Sequence, residues 1–142
     1  MSETTPTLHI AAQFTKEASF VSLVRPYENK SPVSVSFEMQ ARHERLPQPG
    51  HWRVELDVTL QGKGGDTLLY TAAVSQEFIV VVSNLRDEAL AQVLRLQIPA
   101  RMFAYARSQM TSLSLNTGYG PLTLPPVPDA YILQANKSET ES

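Results

Sequence analysis

Trp52-Arg53-Val54-Glu55-Leu56-Asp57-Val58-Thr59-Leu60 decides the fold class of this chain. Apolar side chains hold every even position of the stretch, and charged or hydroxyl side chains hold every odd one. Successive side chains leave opposite faces of a pleated backbone, so this is a strand with one buried and one wet face. Upstream, Val33, Val35, Phe37 and Met39 alternate with Ser34, Ser36, Glu38 and Gln40 in the same way, and Leu8, Ile10, Ala12 and Phe14 form a weaker version. Downstream, Leu68 to Val82 has no internal glycine or proline and is β-branched towards its end, which predicts a fourth strand. Gly62-Lys63-Gly64-Gly65-Asp66 marks a tight hairpin, and Leu46-Pro47-Gln48-Pro49-Gly50 marks another turn. Short connections of this kind join antiparallel neighbours. The first connection, from about Ser22 to Pro32, is longer and reads as a crossing loop.

After Val82 the period changes. Asn84 stands where a helix N-cap is expected, with Asp87 and Glu88 in the first turn. Leu85, Ala89, Val93 and Leu96 recur at helical spacing, broadened by Leu90 and Leu94. Pro99 suits the first turn of a second helix, carried on by Met102, Phe103, Ala106, Met110 and Leu113 to about Asn116. Both stretches read as apolar on more than one side, which predicts burial against a sheet and also against another subunit. Gly118 to Pro128 is an irregular proline-rich loop, and Ala130 to Leu133 a short apolar turn. The order predicts an α+β fold, a four-stranded antiparallel sheet with helices packed on one face. Residues 1–142 form one domain, with 1–6 and 136–142 expected as disordered tails.

Composition narrows the function. The chain has 142 residues, 42% apolar and 18% charged, ordinary for a globular domain. Its net charge of −2 gives no electrostatic reason for a nucleic-acid partner. Cysteine is absent, so neither a disulfide nor a thiolate metal site can form. Met1 to Thr7 lack the features of a secretory signal, and the longest apolar run, Phe78 to Val82, is far too short to span a bilayer. These features predict a cytoplasmic protein that does not insert into membranes.

Catalytic chemistry has little foothold. His9, His43 and His51 lie far apart in sequence and form no metal-ligand pair. The glycine-rich hairpin lacks phosphate-loop spacing, and Glu55 and Asp57 sit on the polar strand face rather than in a pocket. No cofactor is expected. What remains is apolar surface: Tyr119, Leu122, Leu124 and Val127 in the proline-rich loop. Either they close one end of the core, or they border a greasy groove with Tyr27, Phe103 and Met110. Flexible and aromatic side chains suit a groove that must accept many sequences.

Several strings resemble SecB, the tetrameric export chaperone. Leu8 to Phe20, with its Phe14-Thr15-Lys16-Glu17 core, resembles that family's first strand. Ile98-Pro99 through Phe103, Tyr105, Ala106 and Arg107 resembles its proline-started helix, followed by Met110-Thr111-Ser112. Leu122-Thr123-Leu124-Pro125-Pro126-Val127 resembles the loop over the family's groove. The resemblance runs from about Leu8 to Leu133.

It implies an ATP-independent holdase for unfolded polypeptides or preproteins, assembled as a homotetramer, a dimer of dimers whose sheets sandwich the helices. Ala72, Val74 and Gln76 match the family alternation connected with subunit association. The family docks the translocase motor SecA through two acidic positions after the Thr-Lys motif and through a leucine and a glutamate on the fourth strand. Here Glu17 keeps one such position, while the others fall on Val21, Thr71 and Ala73, and the Phe-Asp pair after the loop is reduced to Asp129. These departures imply weakened motor docking. They leave room for a dedicated chaperone of a toxin–antitoxin pair or another specialised client. From a different class, a small-ligand carrier or enzyme would use the same cavity.

Overall fold

The computed structural model describes residues 5–122. Four strands, β1 (Thr7–Ser22), β2 (Val33–Arg45), β3 (His51–Gly64) and β4 (Thr67–Ser83), form one antiparallel sheet in the order β1-β4-β3-β2. The hairpin turns behave as their sequences require. Gly65, the first residue of the β3–β4 turn, has φ +63, and Gly50 has φ +76 with its would-be Cβ 2.4 Å from the Val82 carbonyl oxygen. The Ser22–Pro32 connection carries the chain from one edge of the sheet to the other and holds a 3₁₀ turn at Pro26–Glu28.

β4 alternates buried and half-buried residues along nearly its whole length, because it lies inside the sheet with a helix on one face. The inner face of β3 and β4 presents Val54, Leu56, Val58, Leu60, Ala72, Val74, Phe78 and Val80, all buried. β1 is longer than its apolar pattern suggests. As an edge strand it stays mostly exposed, and bulges at Ala11 and Lys16 shift its period twice.

Two expectations about the helices are corrected. There is one helical run rather than two helices: α1 (Asp87–Gln92), a π-helical turn (Val93–Gln97) and α2 (Ile98–Ser114) follow without a break. Pro99 has no N–H, and in a regular α-helix its ring would meet the carbonyl four residues back. The chain answers by widening ahead of it, so that the Ile98 N–H bonds the Val93 carbonyl five residues back. Asn84 is not the N-cap; Arg86 holds that place without a side-chain cap bond. Asn84 instead turns the corner out of β4 at φ +60, a conformation asparagine tolerates, and donates from Nδ2 to the Thr5 carbonyl at 3.1 Å.

The helical run is also less apolar on its outward side than its composition suggested. Ile98, Met102, Phe103, Ala106 and Met110 all face the sheet and are buried. Outward lie Ala100, Arg101, Ala104, Ser108 and Ser112, with Tyr105 as the one large apolar side chain among them. The run lies over β4, β3 and β1 and meets β2 chiefly through the π-turn and Phe103, whose ring is 6.2 Å from Phe37.

Candidate functional site

The crossing loop and the end of α2 meet at one end of the inner face. Leu23 and Val24 both donate their N–H groups to the Leu69 carbonyl, at 2.8 and 3.1 Å, which lashes the loop to β4. After α2 the chain doubles back. Ser114 Oγ accepts from the Leu122 N–H and Thr111 Oγ1 donates to the Leu122 carbonyl, both at 2.7 Å. Gly118, at φ +87, passes so close to Pro26 that an added Cβ would lie 2.7 Å from its ring. Tyr119 donates its hydroxyl to the Val24 carbonyl and brings its ring 4.8 Å from Tyr70, which stacks on Phe20 at 4.9 Å. Gly62 makes room for this stack, since a Cβ there would fall 2.1 Å from the Tyr70 ring. Burial raises the Tyr70 phenol above its ordinary pKa, and the neighbouring Tyr119 adds to the shift.

Around that aromatic knot lies uncovered apolar surface. Val33 pairs with Gly64 and Val35 with Gly62, on the face shared by Phe37 and Leu60. That face is the inner one, yet Val33 and Val35 remain 44% and 47% exposed, because the helical run stops short of them. Tyr27, at 74%, Leu23 and Leu115 are exposed as well.

The residues expected to line a groove therefore separate. Tyr27 is open and Tyr119 half-buried. Phe103, Met110 and Leu122 are enclosed in the protomer's own core, because their positions on α2 and the return loop point at the sheet. Leu124 and Val127 lie outside the described residues. Sequence reasoning missed Val33 and Val35, whose alternation is the same as that of a covered strand. The glycines opposite them in the β3 register were the available signal. Ala72, Val74 and Gln76 lie buried on the inner face of β4, beneath α2.

The outer face is different. Arg42 bonds Glu55 and also Asp57, the latter at 2.7 Å; Lys16 reaches Glu55 at 3.6 Å, and Arg53 bridges Glu55 at 3.3 Å and also Glu44. Arg42 holds the Glu55 carboxyl below its ordinary range, against the opposing effect of burial. Burial opposes ionisation of Asp57 too, but the Ser75 hydroxyl and Arg42 outweigh it and lower its pKa. Both acids are thus committed to internal cations. Glu17, Val21, Thr71 and Ala73 share this outer face: Val21 pairs with Thr71, and Glu17 and Ala73 pair with Ser75 and Ser19. Of these four, only Glu17 is charged.

Among the described residues no group of three or more potential ligands gathers to hold a metal. Nor is any described helix long and apolar enough to cross a membrane.

Comparison with known proteins gives a consistent picture. The family model described as preprotein translocase subunit SecB matches residues 1–140. The protein-export protein SecB of Magnetococcus marinus is 28% identical over 86% of this chain and 79% of its own length. Protein-export protein SecB 2 of Francisella tularensis subsp. novicida is 26% identical over 96% of this chain and 94% of its own. Among solved structures, the Mycobacterium tuberculosis Rv1957 SecB-like chaperone, in complex with a ChAD peptide from the Rv1956 HigA1 antitoxin, superposes with a TM-score of 0.68. Its identity is 14%, covering 83% of this chain and 89% of that one. At that identity the likeness concerns the fold.

The ion-pair network carries a pH dependence. Carboxyl groups whose folded pKa is depressed add stability above their unfolded values, near 4, and lose it as pH falls through the folded ones. Arg42→Met should therefore cost about 0.5–1 kcal/mol at pH 7, as a partly exposed network warrants. The cost should be smaller at pH 3, because the advantage of the depressed acids fades as pH falls below about 4 towards their folded values. Urea unfolding of both proteins at the two pH values measures it.

Proposed function

The chain belongs to the SecB family, and from that premise we propose that it is a nucleotide-independent holdase for unfolded polypeptides, preproteins destined for export among them. SecB family members are chaperones and not enzymes. The observation that carries the holdase reading is the uncovered apolar surface of Val33, Val35, Tyr27, Leu23 and Leu115 around the Phe20–Tyr70–Tyr119 knot. A client held there in extended form is withdrawn from folding and aggregation by mass action, which needs no ATP. Leu124 and Val127 belong to the proposed client contacts, and Tyr119 stands at the border of this surface.

The same reading places the protein in the cytoplasm as a homotetramer, a dimer of dimers with the helices between two sheets. Ala72, Val74 and Gln76 would then act on assembly from beneath, by fixing how α2 lies. The neutralised outer face supports a weak partnership with SecA and favours a second reading, a dedicated chaperone. The Mycobacterium tuberculosis structure pairs a SecB-like chaperone with an antitoxin peptide, and a specialised client of that kind suits a chain that keeps only Glu17 of the four docking residues.

Tyr27→Ser combined with Val33→Thr and Val35→Thr should at least halve protection of an aggregating client at equimolar ratio. The thermal midpoint should move little, because Tyr27 is mostly in water and the two valines are nearly half exposed. Light scattering during client refolding reads the effect, and undiminished protection by the triple variant would locate client binding elsewhere.

Affinity for SecA should be at least tenfold weaker than in standard family members that keep all four docking residues, a difference of about 1.4 kcal/mol. Val21→Glu with Ala73→Glu should strengthen it, more so at low salt. Tight, salt-sensitive binding of SecA by the unmodified protein in calorimetry would contradict this.

A further inference from the structure

The crossing loop is pinned on both sides of the short turn that carries Tyr27. Before the turn, the Val24 carbonyl accepts from the Tyr119 hydroxyl, and Pro26 lies against Gly118. After the turn, the bonds converge on Asn29. Its main-chain N–H closes the 3₁₀ turn on the Pro26 carbonyl at 3.2 Å. Its side chain then grips the chain that follows: Nδ2 donates to the Ser31 carbonyl at 2.7 Å, and Oδ1 accepts from the Ser31 N–H at 3.2 Å. Such a local Asx bond fixes the side chain and the backbone together.

Gly64 is the seat for this amide. A Cβ there would run into Asn29 Oδ1 and lie 3.0 Å from Asn29 Cγ. Gly64 pairs with Val33 and Thr67 inside the sheet and, unlike Gly65, has no positive φ, so its backbone does not call for glycine. Almost any other residue would serve the strand better. What the glycine provides is room for Asn29. Val33 stands directly opposite Gly64 and shares its face, so the end of the Tyr27 turn is moored beside the first valine of the uncovered strip. Tyr27 itself stays 74% exposed. The loop holds it still without burying it.

Holding an exposed side chain still has a use in binding. A mobile loop loses freedom when a client settles on it, and that cost lowers affinity; a loop already fixed is spared it. We propose that Asn29, seated on Gly64, is a positioning residue for the client surface, fixing the 3₁₀ turn so that Tyr27 is presented beside the start of β2. The proposal rests on the holdase reading and adds to it the residue pair that preorganises the apolar strip. Asn29 acts through Tyr27 and need not touch the client.

Affinity of the full chain for a labelled, permanently unfolded client, read by fluorescence anisotropy, tests this. Asn29→Ala removes the side-chain bonds, and Gly64→Ala expels the amide while leaving Asn29 in the sequence. Each should weaken binding about threefold to tenfold, the cost of ordering a loop side chain on binding. In a Tyr27→Ser background neither should weaken it further, because the side chain that they position is gone. A merely structural role predicts the same loss with or without Tyr27. Additive losses therefore overturn the proposal, as does parental affinity in both single variants. If Asn29→Ala alters the fold by circular dichroism, Gly64→Ala and its combination with Tyr27→Ser decide the matter alone, since alanine suits a strand better than glycine. Parental affinity in Tyr27→Ser would also overturn the proposal, while the holdase reading would stand on Val33 and Val35. Failure of the parent to bind the client would sink the holdase reading and the proposal with it.

Discussion

One helical layer cannot cover a four-stranded sheet. Strands lie about 4.8 Å apart, so four of them span about 19 Å, whereas a helix with its side chains is about 10–12 Å across. The helical run from Asp87 to Ser114 spends its width on β4, β3 and β1. The start of β2 is therefore left bare although its inner residues are valines. A monomeric enzyme of this size would place a second helix there or make those positions polar. Among the described residues neither is seen, and in our account the exposed apolar strip is the working surface.

The two faces of the sheet divide the labour. The inner face carries both the core and the apolar strip, continuous through Phe37, which is half-buried and touches Phe103. The outer face is neutralised from within by Arg42, Arg53 and Lys16, which occupy the carboxylates of Glu55, Asp57 and Glu44. A face whose charges already satisfy one another presents little net field to a charged partner. Loss of the family's docking residues at Val21, Thr71 and Ala73 is thus not made good by their neighbours on β3.

The strands were legible wherever one face was buried. β3 announces itself by strict alternation because β4 and α2 enclose every second residue. β1 was legible only to Phe14, since an edge strand buries little and the bulges at Ala11 and Lys16 break its period. The unbroken helix was hidden because Pro99 reads as a start, and a π-turn that accommodates a proline leaves no mark in composition. The site was legible in part. An aromatic and apolar loop after α2 pointed to the end of the molecule where Tyr27, Val33 and Val35 stay exposed. The pairing of Tyr119 with Tyr70 and the Val24 carbonyl depends on a loop that crosses the whole sheet, which local sequence does not encode. Phe103 and Met110 looked like groove residues because one helix cannot be assigned a buried face until its partner is known.

The central claim is that an unfolded polypeptide rests on the inner face where the helices end. Methyl and aromatic NMR of the protein, titrated with a permanently unfolded client, measures this residue by residue. We expect the largest perturbations at Val33, Val35, Leu23, Leu115, Tyr27 and Tyr119, with Ile79 and Val81 on the outer face unchanged. Perturbations centred on the outer face, with Val33 and Val35 silent, would contradict the account.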